Sequence, residues 1–550
     1  MNLSVVSKSM MRLTLTLMTH TSTLMTLYSK LMTQASKLMT LPSKLMTLPS
    51  KLMTLALTLC LVSACSSLPP PQQLTPSHKL AAPTDSGLYR YLEGDLKAHP
   101  NKTGILPLSS GIDAFVARLA IVDAASQSID LQYYIYHDDE TGRLLIWHLI
   151  DAADRGVRVR VLLDDLTTKT LDNGLVLLAS HPNIEIRLFN PSYERTFRSF
   201  AMLTGFSRLN HRMHNKSLTV DNQITVVGGR NIGNEYFSKN DDVDFGDFDL
   251  LTIGDVVDEV SNQFDRYWNS EQVESVVNLV PPPTSEMYKE AAKIMARNKQ
   301  NFLHDEYLNR LELSDLLTQI TSKGLAWYWG DAQLLYDPPE KASRQGHQEW
   351  LLTDLSHFLA KARHEVLIVS PYFVPTDGGC QALIEAAKQG IKITVITNSL
   401  AATDVLAVHA GYKAYRERLL ENGIALYEVK VDINNRPSAW KGSSRTSLHA
   451  KTFVLDRASV FVGSFNFDPR SAWINTEMGL IVDQREFADE MVDEVQKSLQ
   501  RSSYRLGLED GELVWHDDLS GKVFYADPDA SFWRRFMADF IGLLPIESQL

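Results

Sequence analysis

The apolar pattern of the chain resolves into two similar runs of elements. In the first, it predicts a helix around Ile112–Ala125, the strand Ile129–Ile135, a helix near Gly142–Arg155 and the strand Val157–Leu163. The second predicts a helix at Leu351–Ala362, the strand Val366–Tyr372, a helix through Ala386-Ala387 to Gly390, and the strand Ile391–Thr397. Gly156 and Gly390 stand where a glycine closes a helix, and they are 234 residues apart. Strands alternating with helices predict an α/β protein of two duplicated lobes, each a sheet covered by helices. The expected boundaries are 91–280 and 326–550, joined by a connector at 281–325 that begins with Pro281-Pro282-Pro283 and continues through the polar helical stretch Ser285–Arg310.

The polar residues within this pattern carry the chemistry. His214-Asn-Lys216 leads to Asp221 and, after six residues, to Gly228-Gly229-Arg230-Asn231. It reads as a pleated strand with His and Lys on one face, followed by a glycine turn that returns an amide toward them. An imidazole nucleophile, a fixed cation and an amide donor are what displacement at a phosphate ester requires. One copy would also fit an ordinary strand with a surface histidine. The chain, however, repeats the spacing throughout: His449-Ala-Lys451, Asp456, then Gly463-Ser464-Phe-Asn466, with His214 and His449 235 residues apart. Each copy leads to an acid at the start of an apolar run, Asp249 and Glu477. Two such sets on duplicated lobes can converge on one site at the lobe interface.

The N-terminus changes the picture of location. Residues 29–56 repeat a seven-residue unit beginning at Ser29, Ser36, Ser43 and Ser50, but Pro42 and Pro49 interrupt any continuous helix. Lys51, the apolar run Leu52–Val62 and the closing Val62-Ser63-Ala64-Cys65 describe a secretory signal whose last four residues resemble a bacterial lipobox. Cleavage before Cys65 and lipidation of its thiol are expected, with residues 1–64 as leader and 65–90 as a proline-rich tether. By resemblance to the usual lipoprotein sorting pattern, Ser66 rather than Asp after the cysteine implies the outer membrane over the inner, on the periplasmic side. The formal charge is −12, and because residues 1–64 hold six Lys/Arg and no acid, the remainder carries −18. That acidity disfavours nonspecific nucleic-acid binding. Three cysteines, Cys60, Cys65 and Cys380, offer no disulfide framework.

The paired H-x-K-x-x-x-x-D motifs with G-[GS]-x-N resemble the phospholipase D superfamily. Gly228–Phe237, Gly463–Ser471, Leu131–Ile135, Thr397–Ala402 and Val408–Tyr412 more narrowly resemble the bacterial cardiolipin synthases, most like the C type, from about residue 105 to the C-terminus. The lipobox and tether depart from the synthase pattern. The resemblance implies a mixed sheet flanked by helices in each lobe, with the active site between lobes. It further implies a phosphohistidine mechanism in which one histidine attacks phosphorus while the other protonates the leaving alcohol and deprotonates the incoming one. His214 is assigned as nucleophile and His449 as acid/base, with the reverse left open by the symmetry. Lys216, Lys451, Asn231 and Asn466 would hold the phosphate oxygens. Asp249 and Glu477 would each fix an imidazole, and Asp221 and Asp456 would pair with lysine or orient the strand. No metal or other cofactor is expected, because two lysines supply the positive charge.

The implied substrates are phospholipids, with phosphatidylglycerol as acceptor for cardiolipin synthesis or water for hydrolysis to phosphatidic acid; a nuclease-type phosphodiesterase is a more distant alternative. The acid-free stretch Arg195–Val220, with Arg195, Arg198, Arg208, Arg212 and Lys216 among Phe197, Phe200, Met202, Leu203 and Phe206, reads as a lip drawing anionic phospholipid. The tail around Phe532–Ile541 has apolar residues at helical spacing, which fits either a docked or an interfacial helix.

Overall fold

The computed structural model describes residues 74–168, 170–196, 205–239, 244–302, 306–343, 350–431 and 446–550. The leader with its heptads, Cys65, and residues 197–204 of the basic stretch lie outside the described residues.

Local chemistry sets the element ends. Ser110 and Asp139 cap helices Gly111–Ala124 and Glu140–Asp154 by accepting from the Asp113 and Gly142 N–H groups. Gly156 and Gly390 follow their helices at φ 94° and 92°, a region that costs a glycine nothing.

The first lobe contains β1 (Thr103–Leu108), β2 (Ser128–Tyr133), β3 (Arg158–Asp164), β4 (Ile184–Phe189), β5 (Ser217–Val220), β6 (Ile224–Gly228), β7 (Asp244–Gly246), β8 (Asp249–Gly254) and β9 (Val273–Ser275). The second contains β10 (Tyr328–Tyr336), β11 (Glu365–Val369), β12 (Lys392–Asn398), β13 (Ala425–Val429), β14 (Thr446–Leu448), β15 (Thr452–Leu455), β16 (Ser459–Gly463), β17 (Met478–Asp483) and β18 (Ser503–Glu509). Strands β19 (Glu512–Asp517) and β20 (Lys522–Phe524) extend its edge.

Hydrogen-bonded neighbours in the first sheet run β1-β8-β6-β5-β2-β3-β4-β9. In the second they run β10-β17-β16-β15-β11-β12-β13-β18. In both, only the three strands fed by crossover helices are parallel: β2-β3-β4 and β11-β12-β13. The position-by-position match shows the duplication that the sequence spacing predicts. Strand β10 joins the two sheets, pairing with β1 through Tyr328–Gly330 and with β17 through Asp331–Tyr336.

Each sheet buries its outer face under its own helices. A third cluster, with Ile105, Val227 and Leu250 from one lobe and Val454, Val462 and Leu480 from the other, fills the space between them. The connector is helical and belongs to the first lobe, since Tyr307, Leu311 and Leu316 are buried in that lobe's core.

The tether expectation needs correcting at its C-terminal end. Residues 75–83 are pinned along the first lobe: Arg187, Arg160 and Arg158 donate to the Thr75, Ser77 and His78 carbonyls, and Gln223 donates to Pro83 O. A helix begins at Gly87. The arginines of β3 and β4, two of them fully buried, needed acceptors, and an extended segment with free carbonyls supplies them.

Candidate active site

The two lobes meet edge to edge at the motifs. His214 precedes β5; its N–H donates to Thr476 O at 2.8 Å, while Thr476 N–H donates back to Arg212 O at 2.9 Å. His449 follows β14, which pairs in parallel with β7, and its N–H donates to Gly246 O at 2.8 Å. The expected position of His and Lys within a strand is therefore shifted. Each histidine lies on the entry segment, because its backbone is bonded to the opposite lobe instead of to its own sheet.

The acids cross over as well. His214 Nδ1 lies 2.8 Å from Glu477 Oε2, contributed by the second lobe, and His449 Nδ1 lies 2.5 Å from Asp247 Oδ2, contributed by the first. Glu477 thus sits on the far nitrogen of one imidazole, but Asp249 does not sit on the other. Asp249 is wholly buried between Arg118 at 2.8 Å and Arg230 at 3.3 Å. The reason is register. Gly228 pairs with Asp249, whereas Gly463 pairs with Gly479, so the counterpart of Glu477 is the residue two before Asp249. Aligning Asp247-Phe-Asp-Leu250 with Glu477-Met-Gly-Leu480 on the shared leucine would have found it. Close approach of Asp247 depends on Gly229, where an added Cβ would lie 2.1 Å from Asp247 Oδ1. At the equivalent position of the second lobe Ser464 Oγ donates to Glu477 Oε2 at 2.5 Å.

Burial and charge differentiate the two halves. Burial, reinforced by Lys216, Lys451 and His449, pushes His214 well below the ordinary imidazole range. Burial and Lys451 also lower His449, but the Asp247 charge opposes them. Burial alone would raise Asp247, yet His449 and Lys451 outweigh it and hold the carboxyl near about 2. Glu477 goes the other way: burial dominates over Lys216 and raises it to about 7. Lys216 is lowered to about 7 by the same desolvation, and Lys451 is lowered too. Both lysines donate to the carbonyl of their own motif histidine, Lys216 at 2.6 Å.

The remaining expected residues are distributed unevenly. Asp221 Oδ1 and Oδ2 accept from the N–H groups of Ser126, Gln127 and Ser128 and from Ser126 Oγ, at 2.7–2.9 Å. Asp456 likewise accepts from the N–H groups of Arg363, His364 and Glu365. Both cap the loop before a neighbouring strand, so of the two expected roles, pairing with lysine or orienting the strand, the geometry fits the second: their strand carries them away from the histidines. Asp221→Ala should cost about 2–4 kcal/mol of stability in denaturant titration through unpaired N–H groups, with turnover per folded molecule largely intact. Burial raises the Asp456 carboxyl, but the N–H groups of Glu365, His364 and Arg363 outweigh it and depress its pKa. Its stabilisation is present above the unfolded value of about 4 and is lost as pH falls through the lower folded value. Asp456→Asn should remove that acid-side loss from a plot of stability against pH.

Asn231 is engaged internally, accepting from Ile135 N–H at 3.1 Å and donating to Tyr236 OH at 3.0 Å. Asn466 Oδ1 is buried without a hydrogen-bond partner among the described residues. Tyr134 and Tyr236 stand edge-on to His214 and His449, with ring centroids 5.0 and 5.4 Å apart. Asn398 clamps the second entry segment, donating to Leu448 O and accepting from Leu448 N–H, each at 2.9 Å.

The cationic lip is not met by its described members. Arg195 pairs with Asp165 and Asp172, Arg212 with Asp164 at 3.1 Å, and Arg208 with Asn190 and Pro191 O. Carboxylates and carbonyls that the fold brings up to them take these groups; Arg198 lies outside the described residues.

The duplicated lobes and shared two-histidine site are those of a phospholipase D-type enzyme. The profile described as "Cardiolipin synthase, PLD-like domain" matches residues 119–268 and 355–499. The chain is 40% identical to cardiolipin synthase C of Escherichia coli over 457 residues, covering 82% of this chain and 96% of that protein. It is 23% identical to a cardiolipin synthase of Oceanobacillus iheyensis, covering 76% and 73%. The phosphatidylserine synthase structure from Haemophilus influenzae shares the fold at a TM-score of 0.52 and 12% identity, covering 84% of this chain and all of that one. The chain belongs to the cardiolipin synthase family of phospholipase D-like phosphatidyltransferases.

Proposed function

We propose that the enzyme makes cardiolipin at a membrane surface by moving a phosphatidyl group through a phosphohistidine to phosphatidylglycerol. The observation that carries this reading is the pair of buried imidazoles, each held by a carboxylate of the opposite lobe. His214, kept neutral by burial and neighbouring lysines, directs Nδ1–H at Glu477 and leaves Nε2 with a lone pair for phosphorus. As the P–N bond forms, the P–O bond to the donor headgroup breaks. His449 gives its proton to the departing oxygen. An entering phosphate anion raises the proton affinity of His449, and ionised Asp247 stabilises the imidazolium. In the second half, His449 takes the proton of the acceptor hydroxyl, that oxygen bonds to phosphorus, and the P–N bond breaks. Lys216 and Lys451 stabilise the phosphate oxygens, and Asn466 Oδ1 would accept from an acceptor hydroxyl.

The choice of acceptor follows the relatives named as cardiolipin synthases. Membrane attachment is supported by the lipobox ending at Cys65, with Ser66 favouring the outer membrane. No helix among the described residues is long and apolar enough to cross a membrane.

Purified enzyme given phosphatidylglycerol, with and without phosphatidylethanolamine, should produce cardiolipin detectable by mass spectrometry. Phosphatidic acid as sole lipid product would reassign it as a hydrolase. Cleavage of DNA without lipid turnover would make it a nuclease.

A further inference from the structure

Helix Phe532–Gly542 shows its apolar side to the outside and its arginines to the protein. Phe532, Trp533 and Phe540 are 67%, 70% and 52% exposed, and Phe536, Met537, Leu543 and Leu544 continue the same face. On the other side, Ala538 is fully buried against Leu400 and Ala530. Arg534 donates to Leu400 O and Thr403 O, and Arg535 donates to Asp527 O at 3.1 Å. Asp539, the acid on the exposed side, is paired with Lys413 at 2.6 Å. A surface helix facing water has the reverse arrangement, and a contiguous apolar face of this kind marks an interaction surface.

We propose that this face docks shallowly into a phospholipid bilayer and brings the active-site mouth to it. The chemistry fits a bilayer interface: aromatic and aliphatic groups point outward, and the local acid is neutralised. The position fits as well. The helix clamps the Leu400–Thr403 loop; the next residue, Asp404, accepts from Tyr372 OH at 2.7 Å, and its charge reaches His449. Whatever covers this face therefore lies beside the chemistry. The inference rests on the phosphatidyl-transfer reading, in which both substrates reside in a bilayer, so a second copy or a protein seated here would turn the mouth away from them.

The test uses the full chain carrying Cys65→Ser, so that lipid on that residue cannot contribute, with and without Trp533→Ser/Phe536→Ser/Phe540→Ser. Flotation with phosphatidylglycerol/phosphatidylethanolamine vesicles should show binding that falls at least about tenfold in the triple variant. Turnover of monomeric dihexanoyl-phosphatidylglycerol should be unchanged. Equal vesicle binding by both proteins, or none by the parent, overturns the proposal. So does a change of oligomeric state by light scattering with vesicle binding intact, which would assign the face to a second copy. Loss of turnover by the parent on every lipid defeats the transfer reading while leaving the binding comparison valid.

Discussion

His214→Ala and His449→Ala should each lower phosphatidyl transfer by on the order of 10⁴-fold or more, but for different reasons that a second substrate separates. From a phosphatidyl ester of an acidic phenol, the phenolate leaves without needing a proton. With that substrate His449→Ala should still form a covalent enzyme, detectable as a mass increment on His214, and then stall because the acceptor is not deprotonated. His214→Ala should form none. The reverse pattern would exchange the roles, and normal turnover by both variants would defeat the two-histidine mechanism. The asymmetry of the acids motivates the assignment: Asp247 stays ionised beside His449, whereas burial raises Glu477 to about 7 beside His214. An imidazole facing a fixed negative charge is the better proton carrier, and one kept neutral is the better nucleophile.

Asp247→Asn and Asp249→Asn, two residues apart, should fail differently. The first removes the charge that stabilises the His449 imidazolium and should lower kcat by about 10²–10⁴-fold, with the thermal transition little changed. The second leaves the buried Arg118 and Arg230 without their counter-charge and should cost about 3–5 kcal/mol of stability, while the folded fraction retains most of its turnover. Paired measurements of kcat and denaturant midpoint distinguish these outcomes. A large kcat loss confined to Asp249→Asn would restore that residue as the partner of His449.

Much of the fold was legible because duplication repeats local signals. Helix-closing glycines, apolar strand runs and the motif spacing depend on a few adjacent residues, and both copies carry them. The same locality explains where the reading failed. Asp249 opens an apolar run just as Glu477 does, so sequence alone prefers it. Thirty-three residues separate His214 from Asp247 and 28 separate His449 from Glu477, and the extra five hide the equivalence. The arginines of the basic stretch looked free because their partners Asp164, Asp165 and Asp172 lie 23 to 48 residues away in the chain. The tail helix carried its periodicity openly, but not which face pointed outward.

By itself, the sequence determined the two lobes, the histidine–lysine pairs and the phosphodiester chemistry, since these rest on residue type and short spacing. Tertiary structure alone decided that each histidine is aligned by the other lobe. Strand register and the pairing of Arg212–His214 with Thr476, and of Gly246 with His449, are long-range backbone hydrogen bonds that no local pattern encodes.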